Sequence, residues 1–376
     1  MAGVPDRTPY SDKTLCMGTL LDGLVIVDLS TVVSGPFAVR MLREQGARVI
    51  KVEAPGRGDI ARYVGTSRNG VSAMYTTCNL GKEVCTIDVK SESGLAEILE
   101  LIDGADMVVQ NFRPGAMERI GLGWDTLHAR NPALICVSIS GFGTEGPMSG
   151  FRVYDPIIQA AAGICDTQVD PETGGPALFQ GILADKVTSL YAAQAALGAL
   201  LDRAQQRIES GTSVGKHIQV NMFDCGIHFN WPDGMYNHTF VETDKLAVKP
   251  DYSGFYRLST AGDGHLAYSV VSDQEMTGAM RALGLGDLLD DPVFADERSR
   301  RKARAELLVL IEDAVTAHDD LDRLLQKLWD HDVPASRVES RSTLHEHPQV
   351  VVNRSINDID DPDVGRIRQS APVFEI

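Results

Sequence analysis

The feature that most constrains this chain is a repeated switch, within its first 140 residues, between short β-branched runs and stretches of helical period. Leu24-Val25-Ile26-Val27-Asp28-Leu29 leads into a Ser-Gly-Pro turn, and an apolar-periodic stretch from Phe37 to Leu42 then stops at Gly46. That order reads as strand, turn and helix, with glycine at the helix end. Arg48 to Glu53 is a second strand and Val84 to Val89 a third. Gly94 to Ile102 reads as a helix leading into strands at Asp106 to Gln110 and Leu134 to Ile139. Alternating strands and helices predict an α/β fold whose parallel sheet is covered on both faces.

Beyond Gly181 the pattern turns helical. Val187, Leu190, Tyr191, Leu197 and Leu201 share one broad face, which puts Asp185 in the first turn. Ser210-Gly211-Thr212-Ser213-Val214-Gly215 breaks the run, and Lys216 to Met222 resumes as a strand. The expected organisation is a flexible tail over residues 1–19, a large domain over 20–225 and a linker over 226–250. A smaller α/β domain follows over 251–330, with a strand-like Gly264 to Val271 and two helical runs. Residues 331–376 form a loop-rich segment returning to the large domain, punctuated by Pro348, Pro362 and Pro372.

Charge narrows the partners. Lys and Arg number 35 against 52 Asp and Glu, a net charge of -17 over 376 residues, which excludes a phosphate-backbone binder. Apolar runs such as the one ending at Leu201 are broken by Asp185, Lys186 and Gln194, short of the roughly 20 apolar residues of a membrane span. The first 19 residues lack the apolar core of a signal peptide, and the six cysteines include no C-x-x-C pair, so a reducing cytoplasm is expected. His345-Glu346-His347 has no third ligand nearby, and no metal site is expected.

A doubly wound sheet invites a dinucleotide, with Glu53 where a ribose-binding acid would sit. The first turn, Ser30-Thr31-Val32-Val33-Ser34-Gly35-Pro36, is nevertheless not G-x-G-x-x-G, so the pyrophosphate cradle is missing. Its amides still face a helix N-terminus, which can hold an anion or polarise a carbonyl.

Several motifs, in order and at matching spacing over residues 21–222, carry a resemblance. They are Leu24 to Leu29, Ser34-Gly35-Pro36-Phe37-Ala38, Val49-Ile50-Lys51-Val52-Glu53, Asn111-Phe112-Arg113-Pro114-Gly115, Gly121-Leu122-Gly123, Asn131-Pro132, Ser138-Ile139-Ser140-Gly141-Phe142-Gly143 and Gly146-Pro147. Together they resemble the class III CoA-transferase family, which includes formyl-CoA transferase, carnitine CoA-transferase and α-methylacyl-CoA racemase. Later stretches match in patches, chiefly Asp332-Val333-Pro334-Ala335 and His347-Pro348-Gln349. The resemblance implies a Rossmann-like large domain, a smaller α/β domain and an interlocked homodimer. The family's closing Leu-Gly-Glu-His-like motif is absent here, so either the tail packs differently or the chain is shortened.

The same resemblance makes Asp185, in Gly181-Ile182-Leu183-Ala184-Asp185, the catalytic nucleophile. A carboxylate at a helix N-terminus is kept ionised by the macrodipole and can attack a thioester; the plainer role for such an Asp is a helix cap. The implied reaction moves CoA from an acyl-CoA donor to a carboxylic acid through an aspartyl-CoA thioester, with amides near Val33 and Ser34 or about Gly141 stabilising the oxyanion. CoA is a substrate, and no permanently bound cofactor is implied. The expected CoA contacts are Val33, Ser34, Ile87, Lys90, Asn111, Phe112, Arg119, Arg152 and Tyr154, with Arg113 a further cation for the phosphates. Tyr154, Asp155 and Trp231 are candidates for the acyl pocket, whereas His228 and His238 are weak acid/base candidates.

Departures refine the reading. Formyl-CoA transferases carry glutamine at the position of Val33, and no glycine-run loop lies between residues 250 and 265, which argues against oxalate. Ala54 replaces an arginine near adenine. The racemase branch uses His-Asp where this chain has Tyr154-Asp155, which leaves racemase as the alternative enzyme. A non-catalytic acyl-CoA-binding paralogue is the other alternative.

Overall fold

The computed structural model describes residues 20–170, 172–242, 244, 246–247 and 257–373. The N-terminal tail, the first residues of the expected small domain and the last three residues lie outside that set. The chain divides into two units, one comprising residues up to 235 together with 349–376, the other residues 236–348.

The first unit is built on β1 (Val25–Asp28), α1 (Ser34–Glu44), β2 (Arg48–Glu53), α2 (Ala73–Asn79), β3 (Glu83–Thr86), α3 (Glu92–Asp103) and β4 (Met107–Gln110). There follow α4 (Ala116–Arg119), α5 (Trp124–Arg130), β5 (Ile135–Ser140), α6 (Asp155–Ala161), α7 (Leu183–Ser210), β6 (His217–Asn221) and α8 (Met222–Gly234). The six strands form one sheet in the order β3-β2-β1-β4-β5-β6, and every pairing is parallel.

Alternation along the strands sends side chains to two cores. Ile26, Val49, Met107, Val109, Ile135 and Val137 pack with α1 and with Ala192, Ala193 and Ala196 of α7. Val27, Ile50 and Val108 face the other way, against Ile98 and Ile102 of α3 and Leu127 of α5. Burial on both faces explains why these strands read as near-continuous apolar runs.

Caps set the helix limits. Ser91 accepts the Gly94 N–H at the start of α3, and Gly211, at φ 73°, closes the 28-residue α7 in the left-handed conformation. At α8 the Asn221 side chain accepts the Asp224 N–H, and the helix continues to Gly234 with Pro232 inside it. Trp231 therefore sits on a helix rather than in the linker predicted from residue 226.

The second unit contains β7 (Arg257–Ala261), β8 (Gly264–Tyr268), α9 (Asp273–Ala282), α10 (Glu297–Lys302), α11 (Arg304–Thr316), α12 (Leu321–Asp330) and β9 (Ala335–Arg337). Its antiparallel sheet runs β9-β8-β7. Four helices stand among the described residues where two helical runs were read; α10 consists wholly of polar and charged residues and so has no apolar period to reveal it, and Ala303 separates it from α11. Ser272 and Glu275 form a full capping box on α9, and Leu266, Met280, Leu307, Ile311 and Leu328 centre an apolar core.

After α13 (Pro348–Asn353), the hairpin β10 (Ile356–Asp361) and β11 (Gly365–Ser370) replaces the loop-rich tail expected from the prolines. Ile359 and Ile367 pack on Leu80. Arg40 of α1, almost wholly buried, donates to the Ser370 carbonyl at 3.2 Å and to the Thr77 carbonyl at 2.7 Å.

Candidate active site

The strand order reverses between β2 and β4 on either side of β1, and ligands in open α/β sheets bind in the crevice outside the carboxyl ends of strands at such a switch point. A cleft of about 410 Å³ lies there. Its walls come from Thr31 to Ser34 after β1, Asn111 to Pro114 after β4, Ile139 to Gly141 at the end of β5, Ser149 and Phe151 to Tyr154 before α6, with Asp185 and Met222 completing the lining.

The β1–α1 turn is the tightest part of this wall. Gly35 is required by close approach, since a Cβ there would stand 2.3 Å from the Ser30 Cβ. Val32 has φ 68°, a left-handed conformation that β-branched residues strongly avoid. Its N–H donates to both Asp59 carboxylate oxygens at 2.9 and 3.1 Å. The Thr31 N–H is likewise engaged by Asn111 Oδ1 at 2.9 Å, and Asn111 Nδ2 returns a bond to the Thr31 carbonyl. The amides of Thr31 and Val32, which precede the Val33 and Ser34 expected near an oxyanion, are therefore spent on structure.

Asp185 is the third residue of α7. No side chain of its own helix caps that end; the carboxylate of Asp155, first residue of α6, accepts the Asp185 N–H at 2.8 Å. Gln159 holds Asp155 in turn at 2.6 Å, and it ties down the approach to α7 by donating to the Gly181 carbonyl and accepting from the Phe179 N–H. Asp155 thus lies buried behind the site as a support. The Ser189 hydroxyl reaches the carbonyls of both Ser34 and Asp185, at 2.7 and 2.8 Å, which locks α7 to the start of α1.

Burial, then the negative charge of Asp155, pushes the Asp185 carboxyl up to about 6, while hydrogen bonds from the Ser34 hydroxyl and amide pull the other way. The helix dipole was expected to keep this acid ionised; burial raises its pKa, yet not enough to neutralise it at pH 7. The result is a partly desolvated carboxylate, ionised at neutral pH and more basic than an exposed Asp, as a nucleophile on a carbonyl should be.

Of the residues expected to contact CoA, Val33, Ser34, Asn111, Phe112, Arg152 and Tyr154 line this cleft together with Asp185. Ile87, Lys90 and Arg119 do not. The Ile87 side chain is buried in the core beneath the sheet, while Lys90 and Arg119 are exposed outside the lining. Trp231 is half exposed near the end of α8, also outside it. Arg113 and Arg152 are exposed in the cleft and have no ion-pair partner among the described residues. Sequence reading missed Asp59 and Lys51; the only available signal was a charge inside an apolar strand, Val49-Ile50-Lys51-Val52.

A family model described as CoA-transferase family III matches residues 21–376, which is essentially all of the described chain. The chain belongs to CoA-transferase family III. Its relatives include the succinyl-CoA–D-citramalate CoA-transferase of Chloroflexus aurantiacus, 32% identical over 93% of this chain and 85% of that protein. The human succinyl-CoA:glutarate CoA-transferase is 28% identical, covering 94% of this chain and 79% of the human one. Among solved structures, a CAIB/BAIF family protein from Brucella suis superposes with a TM-score of 0.77 at 30% identity, covering 94% of this chain and 96% of its own. Family membership makes the chain a CoA-transferase, an enzyme whose substrates are CoA thioesters. No helix of the described residues is long and apolar enough to cross a membrane.

Proposed function

We propose that this family III CoA-transferase moves CoA from an acyl-CoA donor to a carboxylic acid acceptor through covalent intermediates on Asp185. The Asp185 carboxylate attacks the thioester carbonyl, and CoA thiolate leaves as a mixed anhydride forms. The thiolate then attacks the aspartyl carbonyl, expelling the donor acid and leaving an aspartyl-CoA thioester. The acceptor carboxylate attacks that thioester and releases the thiolate again, forming a second anhydride. Attack of thiolate on its acceptor carbonyl yields the new acyl-CoA and restores Asp185. Each step replaces one difficult exchange with an easier displacement.

The observation that carries this reading is the placement of a desolvated Asp185 carboxylate against the hydroxyl and amide of Ser34, in the cleft at the sheet's switch point. Val33, Ser34, Asn111, Phe112, Arg152 and Tyr154 are the proposed CoA contacts. Arg113 and Arg152 supply the local positive charge that an acidic protein needs for phosphates or a second carboxylate. Relatives acting on succinyl-CoA with D-citramalate or glutarate favour a dicarboxylic acyl group. Five free described cysteines fit a reducing cytoplasm. A homodimer, read from the family resemblance, would run at the mass of two 40.8 kDa chains. A racemase would need a second base at Tyr154-Asp155, and the Asp155 carboxylate is already taken by the Asp185 N–H and Gln159.

The test is intact-protein mass after incubation with acetyl-, formyl- and succinyl-CoA, for the native enzyme and Asp185→Asn. A hydroxylamine-sensitive adduct of CoA mass, absent from the variant, supports the mechanism. CoA binding with no adduct from any donor rejects it.

A further inference from the structure

Beneath the β1–α1 turn lies a group of ionised side chains that the mechanism does not use. Asp28 ends β1 and Lys51 is its register partner on β2. Asp59 follows β2, and Lys82 precedes β3. The side chains of all four are wholly buried. Lys82 bonds Asp28 at 2.8 Å, Lys51 bonds Asp59 at 3.1 Å, and Lys51 stands 3.9 Å from Asp28. With two cations and two anions the group is neutral, as buried charge must be if it is not to be prohibitive.

What distinguishes it is where its remaining bonds go. Asp28 accepts the Ser30 N–H at 3.0 Å and also takes the Ser30 hydroxyl. Lys51 donates to the Ser30 carbonyl. Asp59 accepts the Val32 N–H through both oxygens, and Lys82 donates to the Pro36 carbonyl at 2.8 Å. The turn is therefore gripped at residues 30, 32 and 36, on either side of the two residues that face Asp185. An ordinary hydrophobic core would supply no such directional hold. Val32, held left-handed, is the bend that turns Val33 and Ser34 into the cleft.

We infer that the Asp28–Lys51–Asp59–Lys82 cluster is the positioning device of the catalytic turn, with Asp59 the positioning residue that holds Val32 left-handed so that Ser34 meets Asp185. Among the described residues the Val33 N–H has no protein partner, so the same bend leaves it as the turn's unspent donor for the thioester oxygen. This rests on Asp185 being the nucleophile. Non-glycine residues in strained backbone conformations persist only where the surroundings over-determine them, and here four ionised side chains do so.

The experiment measures kcat and KM for acyl-CoA in the full-length enzyme, with acetyl-, formyl- and succinyl-CoA as donors. Val32→Pro fixes φ near -65° and removes the N–H while leaving the ion cluster whole; kcat is expected to fall about 10²-fold with KM little changed. Val32→Gly adopts the left-handed conformation freely and is expected to lose about tenfold less kcat than Val32→Pro. Asp59→Ala cuts the tether from the other side, and adding Val32→Gly to it is expected to recover about tenfold in kcat, a rescue that mere loss of stability would not give. Where Asp59→Ala does not fold, the Val32 pair decides. Native-like kcat in folded Val32→Pro, or a Val32→Gly as slow as Val32→Pro, overturns the inference while Asp185 keeps its role. No turnover or adduct from any donor in the native enzyme rejects the Asp185 mechanism, and this inference with it.

Discussion

The two walls of the cleft are made differently. On the β1–α1 side, Ser30 and Ser34 are buried and their backbone atoms are bonded to side chains brought from β2, α7 and the end of β1. On the opposite side, Phe151, Arg152 and Tyr154 are exposed, Tyr154 by 72%, and make no side-chain hydrogen bond or ion pair among the described residues. The rigid wall faces the Asp185 carboxylate; the loose one faces open cleft. Reacting atoms need positions fixed to fractions of an ångström, whereas recognition of a long, flexible thioester tolerates adjustable contacts. Substitutions on the first wall should therefore lower kcat, and those on the second should raise KM.

Asp185→Asn, facing the fixed wall, has the largest expected effect. Loss of the proposed nucleophile is expected to reduce exchange on the order of 10³-fold or more. The same change should make the protein more stable at neutral pH. The folded carboxyl titrates near 6 against an ordinary value of 3.8, so between those values the folded state holds the extra proton and stability falls as pH rises. Above pH 6 the full penalty is present, and the variant, lacking it, should melt about 2–4 °C higher at pH 7.5 but not at pH 4. In the native enzyme, adduct formation should rise with pH through about 6 and then level off.

Lys82→Met probes the support under that wall. Removing one cation leaves Asp28 buried without its closest partner, which typically costs about 3–5 kcal/mol, read as a lower denaturation midpoint with unchanged slope. Ser34→Ala removes one donor to the Asp185 carboxylate and is expected to lower kcat about 10²-fold, measured as single-turnover adduct formation. Arg152→Ala, on the loose wall, should raise KM for acyl-CoA about tenfold and leave kcat and melting temperature nearly unchanged. A large fall in kcat for Arg152→Ala would erase the distinction between the walls.

How much of this was legible in the sequence follows from the same physics. The parallel sheet was readable because its strands are buried on both faces and its helices carry local caps, as at Ser91 and Gly211. The place of Asp185 in the first turn of a helix was readable from the apolar period of that helix, and its proposed role from a resemblance. The end of α8 and the hairpin β10–β11 were not: the stretch from Trp231 has no clear apolar period and carries Pro232, which a helix interior disfavours, and Pro362, read as a break, stands just past a strand. Asp59 was invisible for a different reason. Its meaning lies in bonds to Val32, 27 residues earlier, and to Lys51 on the strand just before it, and neither spacing has a period. The same holds for Asp155, read as lining a pocket, which serves as the N-terminal cap of a helix 30 residues away.

The bond from Arg40 to Ser370 joins residues 330 positions apart. At about 5–20 residues per second on the ribosome, roughly 20–60 s separate the emergence of this guanidinium from that of the carbonyl that receives it. Throughout that interval the whole of the second unit, residues 236–348, is being made. The helix α1 thus waits with an unfinished flank. Nascent chains should acquire the protease resistance of the first unit only once the final hairpin has left the exit tunnel.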